Sequence, residues 1–431
     1  MRPMRILASL LATTALAAGL VGCGGGTTPT TTGGAAASSA APAENAELKV
    51  WMVTQEDSQK KAWETIVAGF TKANPTIKVT TEERAVDAHK EALRQVSGTK
   101  AGPDIYWYWE GPGLGGSLVK AGMSKDLTDF YKQFNWESRF SSAALGGITQ
   151  YGGFHGIPWT LQGQALYYNK SLFEKAGITA APTDYAGLVA AADKLVAAGI
   201  TPIQFGGTVN WHVMRLLDNL IEAKCGVDVR DQLFAKAANW GSTACVNDAF
   251  TELKTWADKY LQKGFMSQSN DDSSQLFFQG KAAMALEGTW FNSNIVDAEM
   301  KPEGVGIFQF PTGTGRLYSF GEAFYLNSAS EHPDAAAKFL DYITSTEAQQ
   351  TAVGNWAALS VNKEVQPSAE NPLNAVWPPI FDAAKGTITN SDQVLSLEET
   401  TEYWRIQNAV AIGELAPAEA GAAMQKFFDS E

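Results

Sequence analysis

The residues best equipped for chemistry in this sequence are aromatic rings set beside carboxylates and amides. The chain of 431 residues carries 13 Trp and is 11% aromatic. An aromatic face covers an apolar CH surface, and a neighbouring carboxylate or amide bonds hydroxyls at the edge of the same ring. That combination suits a polyhydroxylated ligand such as a carbohydrate. Trp107 and Trp109 alternate with Tyr106 and Tyr108 in a run that ends at Glu110. Period two sends the two sets to opposite faces of a strand, and Trp109-Glu110 at the strand end is expected to face a cleft. Asn210-Trp211 follows Gly206-Gly207, a loop at the carboxyl end of an expected strand. Glu322 is a lone acid among Phe320, Ala323 and Phe324, and such an acid needs a partner or a ligand. Trp356 lies in an expected loop. Gln55 and Glu56 follow the first strand, where a ligand contact competes with a helix N-cap. Trp63 and Trp256 sit on helical apolar stripes and are expected in the core.

Other chemistries answer to particular residues. A secreted glycosidase also needs paired carboxylates, which Glu110 and Glu322 would supply. Gly111-Pro112-Gly113-Leu114-Gly115-Gly116 matches G-x-G-x-x-G in form, but Pro112 and the position after a third strand favour a tight turn capping a helix near the cleft. There is no GxSxG, HExxH or P-loop match, and the four His are scattered. Neither a catalytic residue, a metal nor a cofactor is expected. Tyr167-Tyr168 would be the bait of a ferric-ion site, yet adjacent strand residues point to opposite faces, so a structural strand is expected.

The elements that must position these residues are legible in outline. With 33 basic and 46 acidic residues, a net charge of -13 and 45% hydrophobic residues, the chain is globular, and its acidity argues against nucleic acid as a partner. Arg2 and Arg5 precede an apolar run from Ile6 to Val21, as in a secretory signal. The run ends in Leu20-Val21-Gly22-Cys23, which resembles the bacterial lipobox, so Cys23 is expected to carry acyl chains such as palmitate after residues 1–22 are removed. Residues 24–43 contain only Gly, Thr, Pro, Ala and Ser, and residues 23–46 are expected to form a lipidated, flexible tether. Cys225 and Cys245 remain, and in an exported chain they favour one disulfide. The spacing predicts strands over 48–53, 77–81, 104–109, 164–169 and 202–206. It predicts helices over 58–73, 87–97, 184–198, 248–262 and 334–343, and over 398–428 in two pieces joined near Gly413–Pro417. Strand-helix alternation of this kind implies parallel α/β units.

Here the sequence resembles a known family, the extracellular solute-binding proteins of bacterial ABC importers, in the carbohydrate-binding branch similar to maltose-binding protein. The stretches that carry it are LKVWMV, ANPTIKV, GPDIYWYWEG, GIPWTLQGQALYYNKSLFEKAGI, FFQGKAAMALEGTW and PDAAAKFLDYITSTEAQQ, in that order. The resemblance implies a two-lobed α/β fold of the periplasmic-binding type II class, with crossing strands at the hinge. One lobe would be 47–156 plus 324–366, the other 157–323 plus 367–431. The chain would cross near 156–162, return near 321–324 and cross again near 360–366. Trp290, in Gly288-Thr289-Trp290, matches the family's sugar-stacking tryptophan, and Trp159, Gln162 and Gln164 lie in a segment that lines the cleft there. Gln55 and Glu56 match polar contacts, and Tyr403 falls where that branch places an aromatic over the sugar. The branch's acid at the first crossing is Gln162 here and its GPW is GTW, so the resemblance implies a carbohydrate without implying maltose. It also implies a monomer on the outer face of the cytoplasmic membrane that serves an importer's membrane subunits. An anionic ligand such as a glycerol phosphate would want Arg in the cleft, and Arg316 is the candidate near a crossover.

Overall fold

The structure, a computed structural model, describes residues 45–99 and 101–430. Cys23, the signal segment and the tether up to residue 44 lie outside the described residues. Among the described residues the strands are β1 (Ala46–Val53), β2 (Ile77–Arg84), β3 (Ile105–Trp109), β4 (Ile157–Asn169), β5 (Thr201–Gln204), β6 (Ala282–Gly288), β7 (Val305–Phe308), β8 (Leu317–Leu326) and β9 (Thr387–Ile388). β1 opens inside the stretch expected as tether: Ala46 is already buried and paired with Ile77.

One path of strands runs β2-β1-β3-β8-β4-β6-β5, with β7 on β4 and β9 on β8. β1 pairs in parallel with β2 and β3, and β5 pairs in parallel with β6. The middle is antiparallel: β3 with β8, β8 with β4, β4 with β6. β4 and β8 are therefore the long strands by which the chain passes from one parallel set to the other. Both are buried through most of their length. Their apolar content follows, since a strand covered on both faces has no solvent side to make polar.

Two large cores flank this crossing. One gathers β1, β3, the helix Asp57–Ala73 and the helix Pro333–Ile343, with Trp63, Phe324 and Phe339 in contact. The other gathers the helices Asn210–Phe234, Ala244–Lys259, Leu397–Ile412 and Pro417–Phe428 around Trp240, Trp256 and Tyr403. A smaller cluster packs Tyr167 against Phe291 and Trp377. Trp63 and Trp256 are buried, where their helical stripes place them. Tyr167 donates its hydroxyl to the Gly288 carbonyl at 2.8 Å while Tyr168 packs on Phe173, a structural strand with its two rings on opposite faces.

The Cys225–Cys245 disulfide closes at a Cα–Cα distance of 5.2 Å. It ties a helix break to a helix start. Gly226 takes φ 72° inside Asn210–Phe234, a left-handed conformation that interrupts the helix there, and Cys245 stands in the first turn of Ala244–Lys259. Gly111 opens the turn after β3 at φ 105°, and the short helix Gly115–Lys120 follows. Among the described residues no helix is long and apolar enough to cross a membrane.

Candidate functional site

A cavity of about 640 Å³ lies between the two cores, at the carboxyl ends of β1 and β3 on one side and of β6 on the other. Open α/β sheets leave their binding crevices at such ends, and the volume suits a ligand of one to a few rings. Eight of the expected residues line it: Gln55, Glu56, Trp109, Gln162, Trp211, Trp290, Glu322 and Trp356.

Each is held by an identifiable device. Gln55, just past β1, donates Nε2 to the Val53 carbonyl at 2.6 Å, and its Oε1 accepts from Trp356 Nε1. Glu56 stands at a helix start and at the cavity wall. It caps Asp57–Ala73, with Gln59 Oε1 accepting its backbone N–H at 3.1 Å, and it also lines the cavity. Burial pushes its carboxyl above the ordinary value, and the charges of Asp271, Asp297 and Asp57 add to the effect.

At the crossing, Gln162 joins four segments. Its Nε2 donates to Glu322 Oε2 at 3.0 Å, to the Trp356 carbonyl at 3.0 Å and to Thr160 Oγ1 at 3.1 Å, and its Oε1 accepts from Thr289. Glu322 also accepts from Thr160 Oγ1. These donors lower the Glu322 pKa, but burial outweighs them and holds it at about 7.

Trp290 stands just beyond β6. A Cβ at Gly288 would overlap its ring, so the platform lies directly on the glycine backbone. Arg215 is a second neighbour of the ring. The guanidinium carbon is 4.8 Å from the Trp290 ring centroid and 4.4 Å from that of Trp211, and Nη1 donates to Glu287 Oε2 at 2.6 Å. One buried cation thus stacks on two rings while a buried carboxylate balances it, which is the arrangement that cation–π attraction rewards.

Four expected contacts stand away from the cavity. Glu110 directly follows Trp109, so a strand cannot present both to one face. Its carboxyl is buried beside Gly147 and Gly321, at neither of which a Cβ would fit. Burial and the Glu322 charge push it up to about 8. Trp159 is in the core. Trp159 and Gln162 are an odd number of residues apart, so alternation already sets them on opposite faces, and Trp159 packs edge-on against Trp63 and Trp356 beside a register irregularity between Pro158 and Thr160. Tyr403 is fully buried and donates to Asp218 at 2.9 Å. Asn210 starts its helix and accepts from Asn408 and Gln407, leaving its neighbours Val209 and Trp211 in the wall. Gln164 is buried outside the lining, and Arg316 is bound to Glu222 and Asp231 at 2.6 and 2.8 Å, away from the cavity.

Sequence reasoning missed Trp107, Lys90, Arg215, Asp271, Asn294, Asp392 and Gln393, all of which line the cavity. Trp107 was legible through the period-two alternation with Trp109. Arg215 was legible four residues after Trp211 on one helix face. Asp392 and Gln393 come from a short helix, Ser391–Val394, with no periodic signal of its own.

Two cores linked by crossing strands, with an aromatic and amide-lined cleft between them, define a two-lobed binding protein of the periplasmic type. The chain belongs to the bacterial extracellular solute-binding protein family, whose model matches residues 54–350. An uncharacterised ABC transporter extracellular-binding protein of Pyrococcus horikoshii is 24% identical over 314 residues, covering 71% of this chain and 69% of that one. The maltodextrin-binding protein of Bacillus subtilis is 25% identical over 344 residues, covering 78% of this chain and 75% of its own. Among solved structures, a chitin oligosaccharide binding protein superposes with a TM-score of 0.82 at 24% identity, covering 89% of this chain and 98% of that one.

Proposed function

We propose that the protein captures a carbohydrate, an oligosaccharide of a few rings, between two lobes and delivers it to the membrane subunits of an ABC importer. The observation that carries this reading is the cleft itself: Trp109, Trp211, Trp290 and Trp356 converge on one cavity with amides and carboxylates between them. Stacking faces with polar edges are what a sugar ring requires, and the relatives named for maltodextrin and chitin oligosaccharide agree with it. The lobes are 47–156 plus 324–366 and 157–323 plus 367–431. Ligand bridges them and shifts an open–closed equilibrium. The mature chain is tethered at Cys23 and acts as a monomer outside the cytoplasmic membrane.

The reading is one of capture rather than catalysis. A glycosidase needs two carboxyls facing the scissile bond. Glu110 is buried outside the lining, so the pair that sequence suggested does not face one ligand, and the family of the chain and its named relatives are binding proteins, which supports capture. The test is intrinsic Trp fluorescence of residues 44–431, titrated with maltotriose, xylotriose, diacetylchitobiose and their monosaccharides, with product analysis of each hit. A saturable change with intact sugar is expected. Cleavage would replace this reading with an enzyme, and silence across the panel would move the ligand out of the sugars.

A further inference from the structure

The charges and unpaired polar atoms of the cleft go further than a sugar of unspecified kind. Five carboxylates line the cavity, those of Glu56, Asp87, Asp271, Glu322 and Asp392, against two cations, Lys90 and Arg215. Both cations are already engaged. Arg215 is bound to Glu287 and stacked on two tryptophans. The Lys90 Nζ lies 3.7 Å from Asp392 Oδ2 and 4.7 Å from the Trp109 ring centroid. Each cation therefore already has a protein carboxylate within ion-pair range.

The wall also holds buried polar atoms that no group among the described residues satisfies: Asp392 Oδ1, Gln393 Nε2, Asn270 Oδ1, Asn294 Oδ1 and Trp211 Nε1. Asp392 and Gln393 are themselves 6% and 2% exposed. An unsatisfied buried polar atom is costly, and a ligand that supplies the missing partner recovers that cost. Three of the five atoms accept and two donate. A hydroxyl does both, whereas a carboxylate or phosphate offers only acceptors.

Asp392 and Lys90 come from opposite sides of the cleft. Lys90 is on the helix Val86–Val96, and Asp392 is on Ser391–Val394, whose Gln393 carbonyl accepts the Gly113 N–H at 2.8 Å. Resting on the sugar-capture reading, we infer that this cleft takes uncharged, hydroxyl-bearing rings and rejects their anionic counterparts, and that Asp392 sets this selectivity by occupying the Lys90 ammonium.

The test compares the wild-type protein, Asp392→Asn and Asp392→Asn with Lys90→Met by calorimetry at fixed salt and pH 7.5. The probes are the neutral sugars that saturate the wild type and a panel of uronate-terminated and phosphorylated sugars. Wild type is expected to bind the neutral sugars and to bind the anionic ones at least a hundredfold more weakly. Asp392→Asn, which exposes the ammonium, is expected to gain anionic binding at least tenfold relative to neutral binding, and the double variant to lose that gain. A gain of binding cannot come from misfolding. Equal wild-type affinity for both classes, or an unchanged ratio in Asp392→Asn, overturns the inference and leaves sugar capture standing. A wild type that binds only anionic probes overturns the inference as well. A wild type silent to every probe defeats the sugar reading itself.

Discussion

Trp290 concentrates several constraints in one side chain: it rests on Gly288, faces Phe320 at a centroid distance of 5.7 Å and is backed by Arg215. It is only partly buried, so truncation removes a platform rather than core. Trp290→Ala is expected to weaken sugar binding by about 2–4 kcal/mol, the range of an interface anchor, with an unchanged melting profile. Unaltered affinity by calorimetry would remove Trp290 from the site. The two crossing-strand carboxyls make a different kind of statement. Burial holds Glu110 at about 8 and Glu322 at about 7, against an ordinary value of 4.5. The folded chain therefore keeps these protons to a higher pH than the unfolded chain does. The contribution of these two carboxyls to stability therefore falls as pH rises from the ordinary carboxyl range through 7 to 8, because each binds its proton more tightly in the native state across that window. Glu110→Gln removes the largest contribution without changing shape. Its melting temperature is expected to exceed the wild type's at pH 8.5, with the gap closing by pH 5.5. Parallel profiles would show that Glu110 is already ionised in the folded protein.

Elements with a strong period were legible, and those defined only by tertiary contact were not. The stripe of Trp63, Ile66 and Phe70 located Asp57–Ala73 to within a residue, and Gly413 with Pro417 divided the last two helices where Gly413 takes φ 86°. Ser391–Val394 has four residues and no stripe, and its place in the cleft comes from packing against Gly111 and Gly113. Two residues with the right chemistry, Asp392 and Gln393, were invisible for that reason. Trp159 shows the converse. Its type and neighbours suggested a platform, but it lies an odd number of residues from Gln162, on the other face of β4, and is buried in the core. The disulfide was read from compartment and count, and the structure gives it a local task at the Gly226 break. Closing a segment of sequence separation 20, it is worth about 3 kcal/mol. Cys225→Ala with Cys245→Ala is expected to lower the melting temperature by several degrees while sugar affinity holds, since neither residue lines the cavity. A loss of affinity with unchanged stability would reverse that assignment.

At the scale of the whole molecule, function depends on where the body is held and on how its halves meet. Cys23→Ser is expected to release the protein into the soluble fraction of cells, and continued membrane association would reject lipidation at that cysteine. The meeting of the halves is visible at the cleft rim. Ser58, in the first turn of Asp57–Ala73, donates to Asp297 Oδ2 at 2.9 Å across to the helix Phe291–Asp297, and Asn294 Nδ2 reaches Glu56 Oε1 at 3.4 Å beside it. Neither Ser58 nor Asp297 lines the cavity, so a change there acts on closure and not on ligand contact. Ser58→Asp sets a carboxylate against Asp297 in a rim already crowded by Glu56 and Asp271, and like charges at hydrogen-bond range disfavour the closed form. The same substitution places an acid at a helix N-terminus, where the dipole favours it, so the fold itself is not weakened. The expected outcome is a roughly tenfold rise in Kd carried mainly by faster release, since a lid that closes less tightly leaves encounter unchanged. X-ray scattering should show a larger radius for the sugar-loaded variant than for the loaded wild type. Because the effect is electrostatic and at the surface, 0.5 M salt should narrow it. A variant that binds and compacts like the wild type at low salt would mean that this rim contact plays no part in closure.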